Sequence, residues 1–246
     1  MLNIPSSVLP WLFGSIAFLL FGLRATANFK RLHSPLSLYF AISGYSAFIA
    51  FSLWSIPVIF TANINILLIV NIIGDFFLYV MFVMQVVILH YLILKNKIEL
   101  KFLLAPAIIL ALLGWLAHCY GYIVGGVSIQ NGTFEYQLPL LANIIQSIFL
   151  ITVFLVGVFM LVRIKQQSEY RGRFVLLGIG ILYILYAIGG SLNVILSGSS
   201  NDSPAIILSY IIGFTLFIFV FIAVRVLTPK IINKIWLFQP ILYLIF

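Results

Sequence analysis

One carboxylate lies inside an apolar segment that is long enough to cross a lipid bilayer. Residues 70–91, VNIIGDFFLYVMFVMQVVILHY, contain Asp75 as their single acidic residue. An intramembrane charge costs several kcal/mol, so such residues face the bundle interior and take a partner. Asn71 precedes Asp75 by one helical turn and can hydrogen-bond to it. We therefore expect Asp75 to be protonated, hydrated, or paired with His118 or with a ligand cation.

Other polar side chains fall in the outer parts of neighbouring apolar segments. Mostly apolar concave sites with a few converging polar groups are typical of small-molecule pockets. The sequence therefore predicts a ligand site that opens to the outer side of the membrane. Its predicted members are Asp75, Asn71, His118, Asn143, Gln146, Asn193 and Tyr210. The alternative is that these groups only join helices through hydrogen bonds.

Catalytic and cofactor chemistry finds little support in the sequence. His90 lies near the inner end of the third apolar segment and His118 near the outer end of the fourth, so the two cannot clamp a haem. The spacing of His, Asp and Glu suits no zinc site, and no serine or cysteine has a base at hand. We therefore expect no enzymatic activity, no metal and no cofactor.

The composition indicates an integral membrane protein. Hydrophobic residues make up 64% of the 246 positions and charged residues only 7%, whereas about a quarter of a soluble domain is charged. The net charge of +8 does not indicate nucleic acid, because the basic residues lie in short loops between apolar segments. The expected surroundings are a lipid bilayer, and the expected localisation is multi-pass in a plasma or inner membrane.

Seven apolar segments reach the roughly 20 residues that a membrane-spanning helix needs. They cover 8–28, 35–60, 64–94, 102–124, 138–163, 174–197 and 204–227. They lack the alternation of membrane strands, so the predicted fold is all-α with seven transmembrane helices. Residues 1–228 form the predicted transmembrane domain, and 229–246 form an amphipathic or interfacial tail on the cytoplasmic side. Asn131-Gly132, in the predicted outer loop after the fourth segment, is a turn signal.

The basic residues predict the orientation of the chain. All 13 lysines and arginines flank the turns that follow the first, third, fifth and seventh segments. The positive-inside rule then places the N-terminus outside and the C-terminus in the cytoplasm. A shift of 139 residues superposes segments one to three on five to seven, with Arg24 on Arg163 and Ile72-Ile73-Gly74 on Ile211-Ile212-Gly213. This predicts a three-plus-one-plus-three pseudo-repeat.

Seven helices, an outer N-terminus and paired triplets resemble the plan of microbial rhodopsins and of SWEET and PnuC-type small-solute carriers. The resemblance covers most of the chain, at the level of architecture. A retinal protein would carry a lysine in helix seven, where SPAIILSYIIGFTLFIFVFIAVRV has none, so retinal is not expected. Residues 21–54, FGLRATANFKRLHSPLSLYFAISGYSAFIAFSLW, resemble the first hairpin of the seven-helix sensor regions of bacterial histidine kinases.

These features predict a sensor-like or ligand-binding membrane protein. An outer small-molecule ligand would bias helix packing, and the inner loops and tail would signal to a separate cytoplasmic or membrane partner protein. A facilitative transporter of a small solute is one alternative. A carrier needs a site near the midplane that is reachable from both sides, and the predicted inner half has few polar groups to provide that access. An accessory subunit of a larger membrane complex is the other.

Overall fold

Apolar helices dominate the computed structural model, which describes residues 8–94, 98–124, 127–130, 133–136, 139–164 and 170–196. The helices are α1 (Leu9–Leu32), α2 (Pro35–Phe60), α3 (Ile64–Leu89), α4 (Leu100–Val124), α5 (Leu140–Arg163) and α6 (Tyr170–Leu196). Five of them, α1 to α5, are long and apolar enough to cross a membrane, which confirms the membrane prediction. Within α6 the apolar part is shorter, Leu176–Ser191. The predicted seventh helix (204–227) and tail (229–246) lie outside the described residues.

The ends of the first helices follow from local sequence. His33 ends α1 with a left-handed φ of 49°, and its N–H donates to the Phe29 carbonyl. Pro35 then begins α2, because the fixed φ of proline suits the first helical position. At the start of α3 the Asn63 side chain caps the helix by accepting from the N–H groups of Asn65 and Ile66. These caps fix short turns between α1, α2 and α3.

A short hairpin adds strands to the predicted all-helical fold. Strands β1 (Val127–Gln130) and β2 (Thr133–Tyr136) pair antiparallel, with Gln130 opposite Thr133. The two residues between them in the sequence are the Asn-Gly dipeptide, which favours two-residue hairpin loops. The all-α fold class is confirmed, and the hairpin is confined to the loop between α4 and α5, where the turn signal lies between residues of high strand propensity.

Close glycine contacts join helices in pairs. A Cβ added to Gly44 of α2 would lie 3.0 Å from the backbone of Gly22 in α1, and one added to Gly157 of α5 would lie 2.9 Å from the Gly180 carbonyl oxygen in α6. Small residues let helix backbones approach closely in a membrane. The α1–α2 and α5–α6 pairs therefore both cross at two glycines. The glycines of the second pair lie about one helical turn before the positions that the 139-residue shift gives for those of the first pair. The third pair of the pseudo-repeat includes helix seven and stays a prediction.

Helix α3 lies at the centre of the described bundle and packs against α2, α4 and α5. Phe82 of α3 stacks on Phe149 of α5, with ring centroids 5.3 Å apart and planes 3° apart. Tyr79 packs its ring edge-on to the same Phe149 ring, with centroids 6.0 Å apart. We call Tyr79, Phe82 and Phe149 the aromatic layer. It separates the N-terminal part of α3, which carries Asp75 and is predicted to lie on the outer side, from the C-terminal part, which carries Gln85 and is predicted to lie on the inner side.

The inner end of α3 continues into a π-helical turn, His90–Leu94. A π-helical turn changes the backbone hydrogen-bond pattern and leaves carbonyl groups for other donors. Arg163, the last residue of α5, donates from Nη2 to the Leu92 carbonyl oxygen at 3.1 Å. His90 Nε2 lies 2.6 Å from the Ile98 carbonyl oxygen. These contacts join the inner end of α3 to α5 and to the residues that precede α4.

Candidate functional site

Two side chains of α4 converge on one oxygen of Asp75. Tyr122 donates its hydroxyl to Asp75 Oδ2 at 2.5 Å, and His118 Nδ1 lies 3.1 Å from the same oxygen. His118 and Tyr122 are four residues apart, so they share one face of α4. We call Asp75, His118 and Tyr122 the acidic cluster. Asp75 therefore faces the interior, and of the alternatives expected for it the structure shows the pairing with His118.

The acidic cluster is closed to solvent, since the exposed fraction is 1% for Asp75, 2% for His118 and 1% for Tyr122. Asp75 Oδ1 and His118 Nε2 are buried and have no hydrogen-bond partner among the described residues. A buried polar atom left in this way costs about 1–3 kcal/mol, and more when it is charged. The cluster therefore has one acceptor on the carboxylate and one ring nitrogen available to a proton or a ligand.

Neighbouring contacts hold α4 against α3 around the acidic cluster. Trp115 donates from Nε1 to the Ile72 carbonyl oxygen at 2.9 Å, one turn of α4 before His118. The Tyr79 ring packs edge-on against the His118 ring, with centroids 5.6 Å apart. Gly114 leaves room for Tyr79, because a Cβ at that position would lie 2.5 Å from the Tyr79 hydroxyl. The geometry of the pair of helices thus depends on a glycine and a tryptophan next to the cluster.

Asn71 does not contribute the bond to Asp75 that its spacing suggested. Its side chain is buried, and its Nδ2 donates to the Leu67 carbonyl oxygen one turn earlier, at 2.7 Å. That prediction is wrong. A short amide side chain in a helix can bond to the backbone carbonyl one turn earlier as readily as to a side chain one turn later, and Asn71 makes the first of these bonds. Asp75 instead takes its partners from α4.

The remaining predicted site residues have different outcomes. Asn143 and Gln146 lie half-buried on α5, and their Oδ1 and Oε1 atoms are buried without a hydrogen-bond partner among the described residues. No hydrogen bond joins either of them to the acidic cluster in the described part of the chain. Asn193 lies on α6, whose side chains are not described at that position. Tyr210 lies outside the described residues.

A second buried polar group was not predicted as a site. Gln85 of α3 donates from Nε2 to Ser43 Oγ of α2 at 2.5 Å and to the Tyr183 hydroxyl of α6 at 3.3 Å. All three side chains are buried, and Gln85 Oε1 has no partner among the described residues. We call Gln85, Ser43 and Tyr183 the amide cluster. The signal in the sequence was the one amide in the apolar C-terminal half of α3, residues 76–89, which must find hydrogen-bond partners on other helices.

A small cavity adjoins the amide cluster. Its volume is about 10 Å³, and it is lined by Phe18, Met81, Gln85, Val153, Tyr183 and Tyr186. This is close to the smallest volume that holds one water molecule. This cavity beside the amide cluster therefore has room for at most about one water molecule in this conformation.

Comparison of the chain with known protein families, curated proteins and solved structures finds no similar protein. The function therefore has to be inferred from the geometry of the two buried clusters. Within the described residues, no group of three or more His, Cys, Asp and Glu side chains could hold a metal ion. The acidic cluster can bind a proton or a small hydrogen-bonding cation, and the amide cluster can bind neutral hydrogen-bonding groups.

Proposed function

We propose that the protein is a membrane sensor whose stimulus acts on the acidic cluster. In this proposal the chain has seven spans, with its N-terminus outside and its C-terminus in the cytoplasm of a plasma or inner membrane. The observation that carries the proposal is the convergence of Tyr122 and His118 on Asp75. Buried ionisable groups in membrane helices are costly, which makes a functional site the default interpretation.

The burial of the acidic cluster determines how a stimulus would act. In the packing described, Asp75 does not contact solvent, so an outer ligand must bind a packing in which α3 and α4 lie differently. A ligand shifts such an equilibrium only as far as its affinities for the two packings differ. The Trp115–Ile72 bond and the Gly114–Tyr79 contact are the interactions that such a shift would change first.

Helix α3 would carry the change to the inner side. It runs unbroken from Asp75 to the π-helical turn at His90–Leu94, where Arg163 of α5 binds the Leu92 carbonyl. A rotation of α3 at its outer part would therefore alter the contacts of its inner end. The response would pass to a separate partner protein through the inner loops and the tail.

The amide cluster favours a second candidate, a facilitative carrier for a small polar solute. A carrier needs polar groups on both sides of a central barrier. The acidic cluster lies outside the aromatic layer and the amide cluster inside it, with Phe82 and Phe149 stacked between them. The sensor remains our first proposal because the only ionisable cluster of the described interior lies on the outer side.

Reconstitution separates these candidates. The protein in liposomes is tested for uptake of sugars, nucleosides and amines, and thermal shifts are measured with the same compounds in detergent. We expect thermal shifts without uptake, and loss of those shifts in Asp75→Asn. Ser15→Ala is the matched control, because it removes the part-buried Ser15–Ser52 hydrogen bond between α1 and α2, away from the cluster.

Uptake that is lost in Asp75→Asn and retained in Ser15→Ala would replace the sensor with the carrier. Co-purification with other membrane proteins, together with neither shifts nor uptake, would instead indicate an accessory subunit. A thermal shift of equal size in the wild type and in Asp75→Asn would exclude the acidic cluster as the site of binding.

A further inference from the structure

The two unpartnered atoms of the acidic cluster are the two places where one additional proton can reside. Both hydrogen bonds from α4, those of His118 and Tyr122, go to the same oxygen, Asp75 Oδ2. They leave Asp75 Oδ1 and His118 Nε2 without partners among the described residues. A proton on Oδ1 makes a neutral carboxylic acid beside a neutral imidazole, and a proton on Nε2 makes an imidazolium beside a carboxylate.

We propose that the acidic cluster is a binding site for one proton, shared between Asp75 Oδ1 and His118 Nε2, and that proton loss opens the packing of α3 against α4. The proposal rests on the proposed function and deepens it, since the proton is the ligand of the closed packing and an outer compound would bind the open one. A proton needs no cavity, which suits side chains that are at most 2% exposed. The released proton goes to water on the outer side.

Charge explains why the proton would favour the closed packing. With the proton bound, the cluster has no net charge in either arrangement. Without it, one negative charge remains among apolar side chains, which costs several kcal/mol unless water reaches it. The deprotonated cluster therefore favours a packing in which Asp75 is hydrated, and by reciprocity such a packing binds the proton less tightly.

No other charged group in the described helices around α3 neutralises the cluster. On α4 the titratable neighbours are Cys119 and Tyr122, and on α3 the Tyr79 ring contacts His118. Helix α2 and strand β1 contain no ionisable acid or base other than tyrosine, and the only charged residue of α5 is Arg163 at its inner end. The proton is therefore the charge available to balance Asp75.

The test is a pH titration of the full chain in lipid nanodiscs, without any added compound. Histidine ring nitrogens are followed by NMR with isotope-labelled histidine, and His118→Gln identifies the signal. The carboxyl of Asp75 is followed by infrared difference spectra, with Asp75→Asn as the assignment. Trp115, bonded to Ile72 beside the cluster, reports packing through its fluorescence, with Trp115→Phe as the blank.

We expect one titration step across roughly pH 4 to pH 10, in which His118 or Asp75 loses a proton and Trp115 emission changes at the same midpoint. Asp75→Asn should abolish the carboxyl change and the coupled change in Trp115 emission, whereas Ser15→Ala should leave both unchanged. Wild-type spectra in which neither group changes protonation over this range would overturn the proposal, even if both variants fail to fold.

A packing variant tests the coupling separately. Gly114→Ala forces Tyr79 away from α4, so the proton should be bound less tightly and the midpoint should move to lower pH. Gly74→Ala, on the α2 side of α3, should move it less, because its new methyl meets the half-buried Trp54. A midpoint equal in wild type and Gly114→Ala would refute the coupling. None of these outcomes depends on the compound screen, which tests the sensor proposal independently.

Discussion

Removing the hydroxyl of Tyr122 tests whether Asp75 accepts a charge-assisted hydrogen bond. In Tyr122→Phe the ring stays and only the donor to Asp75 Oδ2, at 2.5 Å, is lost. A hydrogen bond to a charged group contributes about 1.5–3 kcal/mol, and a neutral one about 0.5–1.5 kcal/mol. Since the ring is 1% exposed, water cannot replace the lost donor. We expect the free energy of unfolding to fall by about 2 kcal/mol.

Tyr183→Phe is the matched control for this substitution. It removes the same hydroxyl from another buried tyrosine, whose partner is the neutral Gln85 amide at 3.3 Å. That loss should lower the free energy of unfolding by only about 0.5–1 kcal/mol. Unfolding would be measured in mixed detergent micelles at neutral pH, with helix content followed by circular dichroism. Equal losses in the two variants would refute a charged acceptor at Asp75.

Five further substitutions test the packing around α3. Gly114→Ala should lower the free energy of unfolding by about 1–3 kcal/mol, because its methyl group meets the buried Tyr79. Gly74→Ala should lower it by less, because its methyl group meets Trp54, which is less buried. Thermal melts compare the two variants, and equal losses would contradict this packing. Arg163→Gln should increase hydrogen exchange at His90–Leu94, because the guanidinium bond to Leu92 is lost; unchanged exchange would contradict the contact. Gln85→Leu should change stability by less than about 1.5 kcal/mol. Ser43→Ala leaves the buried amide with only its longer bond to Tyr183 and should cost more; the reverse order in chemical unfolding would refute the amide cluster.

The sequence was sufficient to predict the membrane helices and one interior contact. Long apolar segments predicted α1 to α5 because a bilayer admits only helices or closed barrels. Asp75 was predicted to face the interior because an acidic group in lipid needs a partner, and pairing with His118 was one of the alternatives expected for it. The Asn-Gly turn signal also lies where β1 and β2 meet.

Other contacts could not be predicted, because they depend on how each helix is rotated. Asn71 was expected to bind Asp75, yet it binds the Leu67 carbonyl. Tyr122 was not recognised as a donor, because tyrosines are common near membrane interfaces and its distance to Asp75 depends on the α3–α4 crossing. Gln85 was considered isolated, and its partners lie on two helices that are distant in sequence.

The sequence by itself determined that this chain is a membrane protein of apolar helices with a costly acid in its interior. Only the tertiary structure decided which side chains meet that acid, which atoms of the cluster stay unpartnered, and that a second polar cluster lies beyond the aromatic layer. The physical reason is that lipid is as apolar as the helix interfaces. The hydrophobic pattern therefore marks where helices lie but not which faces they turn to one another, and these faces are set by close packing at residues such as Gly114 and Gly157.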